Sequence, residues 1–90
     1  IKKYGCIPAI QIAHAGRKAS SSRPWEGGQH LDESQGGWQT KSPSPIQVDK
    51  NLLWKVPKEL TLQEIKDIQL KFVEAAKRAV NAGFEVIEVH

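Results

Sequence analysis

Residues 7–20, IPAIQIAHAGRKAS, constrain this chain more than any other stretch. Ile7, Ala9, Ile10, Ile12 and Ala13 make a nearly continuous apolar run, the pattern of a strand covered on both faces. One long polar side chain, Gln11, interrupts it. Within two residues the composition then changes to His14, Gly16, Arg17 and Lys18. Sheets of the α/β class bind ligands at the C-terminal ends of their strands, so this junction is a candidate site. The plain alternative is an ordinary strand whose Gln11 satisfies a neighbouring backbone group.

Before the strand, residues 1–5 form a polar approach that ends in a glycine turn. After it, no helical or alternating period survives across residues 15–60, where Gly, Ser, Pro and Trp are scattered. Connections of this length are uncommon inside a compact unit and are usually functional or disordered. Trp25, Trp38 and Trp54 argue against disorder, since disordered segments are poor in aromatics. An ordered excursion that covers something is expected.

A helix follows. Thr61 and Glu64 have the spacing of a capping box, with Leu60 placed to staple onto Ile65. Ile65, Ile68, Phe72, Ala75, Ala76 and Ala79 recur at three- and four-residue spacing and form an apolar stripe. Lys66, Lys71, Lys77 and Arg78 fall mostly on the solvated side. Gly83 is placed to end the helix in a left-handed cap. Residues 84–90 read as a second strand, with Ile87 and Val89 on one face and Val86, Glu88 and His90 on the other. Strand, crossover helix and strand predict a parallel βαβ unit with a right-handed connection.

Ninety residues allow one small domain at most. A net charge of +3 without a block of like charge is poor support for nucleic-acid binding, which wants a concentrated basic stripe. The single cysteine, Cys6, excludes an internal disulfide, so a reducing, cytoplasmic setting is the default. Cys6 itself reads as a small buried hydrophobe. No apolar run is long enough to span a membrane, and no signal-peptide pattern is present. Methionine is absent even at position 1, and the chain stops on the last residue of a motif, which reads as a segment of a longer protein.

His14, His30 and His90 lack metal-site spacing, and no metal is expected. His14, Arg17 and Lys18 suit either an anion or the solvated start of a loop. The pairs Gly27-Gly28 and Gly36-Gly37 do not follow a strand as a phosphate loop would.

Gln-Ile-Ala-His-Ala-Gly-Arg-Lys-Ala at Gln11 to Ala19 resembles the third barrel strand of the Old Yellow Enzyme family of FMN-dependent oxidoreductases. Arg23-Pro24-Trp25-Glu26-Gly27, Gly37-Trp38-Gln39-Thr40 and Ser42-Pro43-Ser44-Pro45-Ile46 resemble that family's xenobiotic-reductase branch. Ala82-Gly83-Phe84-Glu85-Val86-Ile87-Glu88-Val89-His90 is similar to its fourth strand. The resemblance runs in order over almost the whole chain.

It implies that residues 1–90 are part of an FMN-binding (β/α)8 TIM barrel, from about strand 3 to the end of strand 4, without a complete domain. The implied parent takes hydride from NADPH or NADH and reduces the activated C=C bond of a small α,β-unsaturated substrate. In the resembled family the glutamine at the position of Gln11 holds the flavin's pyrimidine edge. The residue at the position of His90 donates to the flavin edge and to the substrate's carbonyl oxygen, so Gln11 and His90 are the expected cofactor-binding residues and His90 the catalytic one. A frayed chain-end residue is the alternative for His90. The family's next motif, with a second donor and a tyrosine, is absent from these residues, as are the phosphate-binding basic residues. The segment alone is therefore expected to be inactive and poorly stable, with open strand edges. A dienoyl-CoA reductase or amine dehydrogenase of the same superfamily remains an alternative, as does a non-catalytic binding module. The resemblance leaves room for a homo-oligomer of the whole protein, and implies neither a nucleic-acid nor a membrane partner.

Overall fold

A computed structural model describes residues 1–49 and 54–90. The expected excursion also crosses residues 50–53, which lie outside the described residues. The chain divides into two compact units, one made of Ile1–His14 and Leu62–His90, the other of Ala15–Thr61.

The first unit is the βαβ arrangement. Strand β1, Ala9–Ile12, pairs in parallel with the strand that follows the helix, Val86–Val89, in the register Ala9↔Val86, Ile10↔Ile87, Gln11↔Glu88 and Ile12↔Val89. The expected strand over residues 7–13 is shorter because Pro8 has no N–H to donate to a ladder. Its carbonyl still serves, accepting from Glu85 N at 3.0 Å and Val86 N at 3.3 Å. At the far end His90 N donates to the Ile12 carbonyl at 2.9 Å and closes the ladder.

The helix between them, Leu62–Asn81, starts on the residue after Thr61. Its predicted stripe is the covered one: Ile65, Ile68, Phe72, Ala75 and Ala76 are half-buried and Ala79 is buried. Ile10, Ile12 and Ile87 are half-buried, whereas Gln11, Glu88 and His90 on the alternate face are exposed. The apolar run of the first strand therefore has cover on one face only among the described residues, not on both. Leu70, Val73 and Val80 lie off the stripe and are exposed.

The helix ends as the glycine predicts. Gly83 has φ +95°, its N–H donates to the Val80 carbonyl at 2.9 Å, and Phe84 N donates to the Ala79 carbonyl at 3.1 Å. These are the two bonds of a Schellman cap. Lys2 and Glu85 form a 2.8 Å ion pair with both side chains about half exposed, a geometry that contributes little in water. Cys6 is exposed, contrary to the expectation of burial. It follows the left-handed Gly5 that closes the 3-10 turn Lys2–Tyr4, and so lies outside the covered strand face.

The second unit has order of a kind that periodicity does not reveal. Strand β2, Lys41–Ser42, pairs in parallel with β3, Lys58–Glu59. With these two placed, the helix Leu62–Asn81 is α1 and Val86–Val89 is β4. Three single-turn 3-10 segments, Gly16–Lys18, Pro24–Glu26 and Glu33–Gln35, carry the chain between. The last is closed by a capping box in which Asp32 and Gln35 exchange side-chain to backbone bonds.

Ser20 is the centre of this unit. It is 2% exposed and sits at φ +60°, an uncommon backbone for a residue with a side chain. Its Oγ donates to the Leu31 carbonyl at 3.2 Å and accepts from Trp38 N at 2.9 Å, while its carbonyl accepts from Leu31 N at 2.8 Å. Gly37 lies against this knot. A methyl group there would run into the Leu31 carbonyl and stand 2.7 Å from Ser20 Oγ, so only glycine fits without a shift. Of the tryptophans, Trp25 and Trp38 are exposed, and half-buried Trp54 lies with its ring centroid 6.2 Å from that of His30.

Candidate functional site

The parallel register decides which polar side chains share a face. Side chains alternate along a strand, so Gln11 opposite Glu88 fixes Ala9 and Gln11 on one face with Val86, Glu88 and His90. All five are exposed. His90 stands one step of two residues beyond Glu88, toward the C-terminal ends of both strands. With a strand spacing of about 4.8 Å and a rise of about 3.3 Å per residue, the Gln11 and His90 backbones are on the order of 8 Å apart. The structure thus brings the two expected site residues onto one face at one end.

Glu88 belongs to the same face, and sequence reasoning gave it no role. Gln11 Nε2 donates to Glu88 Oε2 at 3.0 Å. The signal was available: a carboxylate two residues before His90, on the same alternating set. Among the described residues the Gln11 amide oxygen and its second N–H make no further bond. The imidazole of His90 likewise has no side-chain partner there. The face therefore offers an amide with donor and acceptor side by side, and an imidazole that can donate to an oxygen.

On the helix side of the same unit, Ile12, Ala13 and His14 line an open groove of about 320 Å³ with Ile68 and Phe72, edged by Lys71 and Arg78. Its floor is apolar and it lies away from the Gln11 face, so His14 is turned to a different environment from Gln11. In the second unit Arg17 donates to Ser44 Oγ at 3.2 Å, which ties the turn after the first strand to the Pro43-Ser44-Pro45 segment. That is a structural task. Lys18 is exposed. Both ring nitrogens of His30 and the Thr40 hydroxyl are shielded from solvent and have no hydrogen-bond partner among the described residues. No group of three His, Cys, Asp or Glu among the described residues could hold a metal ion. No helix among them is long and apolar enough to cross a membrane.

Comparison with known proteins identifies the family. The family model described as NADH:flavin oxidoreductase / NADH oxidase matches residues 1–90. The chain is 46% identical to an NADPH dehydrogenase of Clostridium acetobutylicum over 92 aligned residues, covering all of this chain and 22% of the relative. It is 40% identical to an NADH:flavin oxidoreductase of Gibberella zeae over 83 residues, 90% of this chain and 20% of the relative. An NADPH dehydrogenase of Bacillus pumilus is 40% identical over 90 residues, again all of this chain and 22% of the relative. The chain spans about a fifth of the length of these curated relatives.

Proposed function

This chain belongs to the NADH:flavin oxidoreductase / NADH oxidase family, and from that premise we propose that it is the part of an FMN-binding (β/α)8 barrel from about the barrel's third strand, here β1, to the end of its fourth, here β4, in a parent that oxidises NADPH or NADH. The observation that carries the reading is the single exposed face on which the register sets Gln11 and His90 at the C-terminal ends of two parallel strands. In barrels of this kind that end is where chemistry takes place. The cofactor tests well against the residues present: an exposed amide with a free oxygen and a free N–H matches the mixed donor and acceptor edge of a flavin's pyrimidine ring.

Bound FMN supplies hydride transfer. Gln11 holds the pyrimidine edge by hydrogen bonds and so fixes the ring's rotation in the site. His90 donates a hydrogen bond to the carbonyl oxygen of an α,β-unsaturated substrate. That bond draws electron density from the C=C bond and strengthens as negative charge grows on the oxygen, so it favours the transition state over the ground state. The parent works on a small molecule in the cytoplasm, and the 90 residues alone are inactive because the rest of the barrel is needed to enclose the ring.

Rapid-mixing absorbance of the full-length protein tests the assignment by separating the two half-reactions. In His90→Ala, reduction of the flavin by NADPH proceeds as in the wild type. Reoxidation by an unsaturated ketone slows by roughly 10²–10³, the usual loss for one oxyanion donor. An unchanged reoxidation rate would remove His90 from the site.

A further inference from the structure

We propose that Glu88 is a positioning residue that sets which way the Gln11 amide points. The inference rests on the reading of Gln11 as the residue that holds the flavin edge. An amide is nearly symmetric in shape, and a half-turn of its last torsion exchanges oxygen and nitrogen at little steric cost. On an exposed face nothing else among the described residues favours one orientation. A carboxylate does, because it only accepts, and the register places Glu88 directly opposite Gln11. The 3.0 Å bond from Gln11 Nε2 to Glu88 Oε2 uses one N–H and excludes the flipped amide, which would set oxygen against oxygen. A bond to a charged acceptor is among the stronger kind. What remains is a fixed pair, the amide oxygen as acceptor and the second N–H as donor. A ring edge with an N–H beside a carbonyl is bound by such a pair in one sense only.

Titration of the full-length apoprotein, followed by quenching of flavin fluorescence, tests this with FMN and with FMN methylated at N3, whose ring cannot donate there. Gln11→Leu weakens FMN binding by about tenfold or more, the loss expected for unpaired polar edges. Glu88→Leu weakens it by about tenfold, and Glu88→Gln by about threefold, since a neutral amide can serve either orientation of its neighbour. Discrimination is the sharper readout. The wild type prefers FMN over the methylated form by about tenfold, and the preference shrinks in Glu88→Gln, a change that a merely structural role for Glu88 would not produce. Glu88→Gln keeps the side chain's size, so the ratio is measured on a variant that preserves packing. The double variant Gln11→Leu/Glu88→Leu binds no worse than Gln11→Leu alone. Full discrimination in Glu88→Gln, or additive losses in the double variant, would overturn the positioning role. If Gln11→Leu itself binds FMN normally, the cofactor reading beneath it fails instead.

Discussion

In the β1–α1–β4 unit the residues that matter recur with a period, whereas in the Ala15–Thr61 unit they converge on one serine. The first unit is built by repetition. Its helix stripe meets the Ile10, Ile12 and Ile87 face, and each member contributes a share of apolar burial. The second has few buried apolar side chains among its described residues. Its buried residues there are Ser20, Thr40, Ser42 and Pro57, and its shape rests on directed hydrogen bonds. Burial that is shared tolerates the loss of one member. A knot of bonds about a single Oγ does not, because each broken bond leaves a polar group without a partner.

Substitution at the glycine packed against the knot has the largest expected effect on that contrast. Gly37→Ala drives a methyl group into the Leu31 carbonyl, and overpacking of this kind costs about 3 kcal/mol. Hydrogen exchange in the full-length protein will show the amides of Leu31 and Trp38 losing protection while those of α1 keep theirs. Equal loss in both units would erase the contrast.

Ser20→Ala comes next, at about 2 kcal/mol, because Trp38 N–H loses its acceptor and the Leu31 carbonyl the Oγ donor. Its signature is local, with faster exchange at the Trp38 amide. Protection at Trp38 equal to the wild type would show that the Oγ is dispensable.

The first unit supplies a smaller effect. Gly83→Ala has room for its methyl group, since the nearest atom is Lys2 Nζ at 3.8 Å. What it loses is the ease of a left-handed backbone, about 1 kcal/mol. Exchange should quicken only at Gly83 and Phe84, the two amides of the cap. Fraying that spreads to the middle of α1 would mean the helix depends on its cap more than on its stripe.

Legibility in the sequence follows the same division. The extent of the helix, its buried stripe, Gly83 and the parallel pairing all follow from spacings of three, four and two, which are properties of repeated backbone geometry. Alternation puts His90 with Glu88, but the face these share with Gln11 is set by the register. Glu88 was legible as a member of that face, yet its bond to Gln11 depends on register, which alternation alone leaves open. Ser20 was not legible. It sits in a run of three serines that reads as loop, and its partners Leu31 and Trp38 are 11 and 18 residues away with no pattern joining them. The two-residue strands β2 and β3 are too short to show alternation. Cys6 misled for the opposite reason: its residue type favours burial, but the turn before it decides its exposure.

The central claim is that the exposed β1–β4 face, and not the helix-side groove, meets the flavin. The most direct test is the dissociation constant of FMN for the full-length apoprotein with Gln11→Leu on one face and Lys71→Ala at the edge of the groove. The account predicts that Gln11→Leu weakens binding by about tenfold or more while Lys71→Ala leaves it unchanged. Normal FMN affinity in Gln11→Leu, with weakened binding in Lys71→Ala, would contradict it.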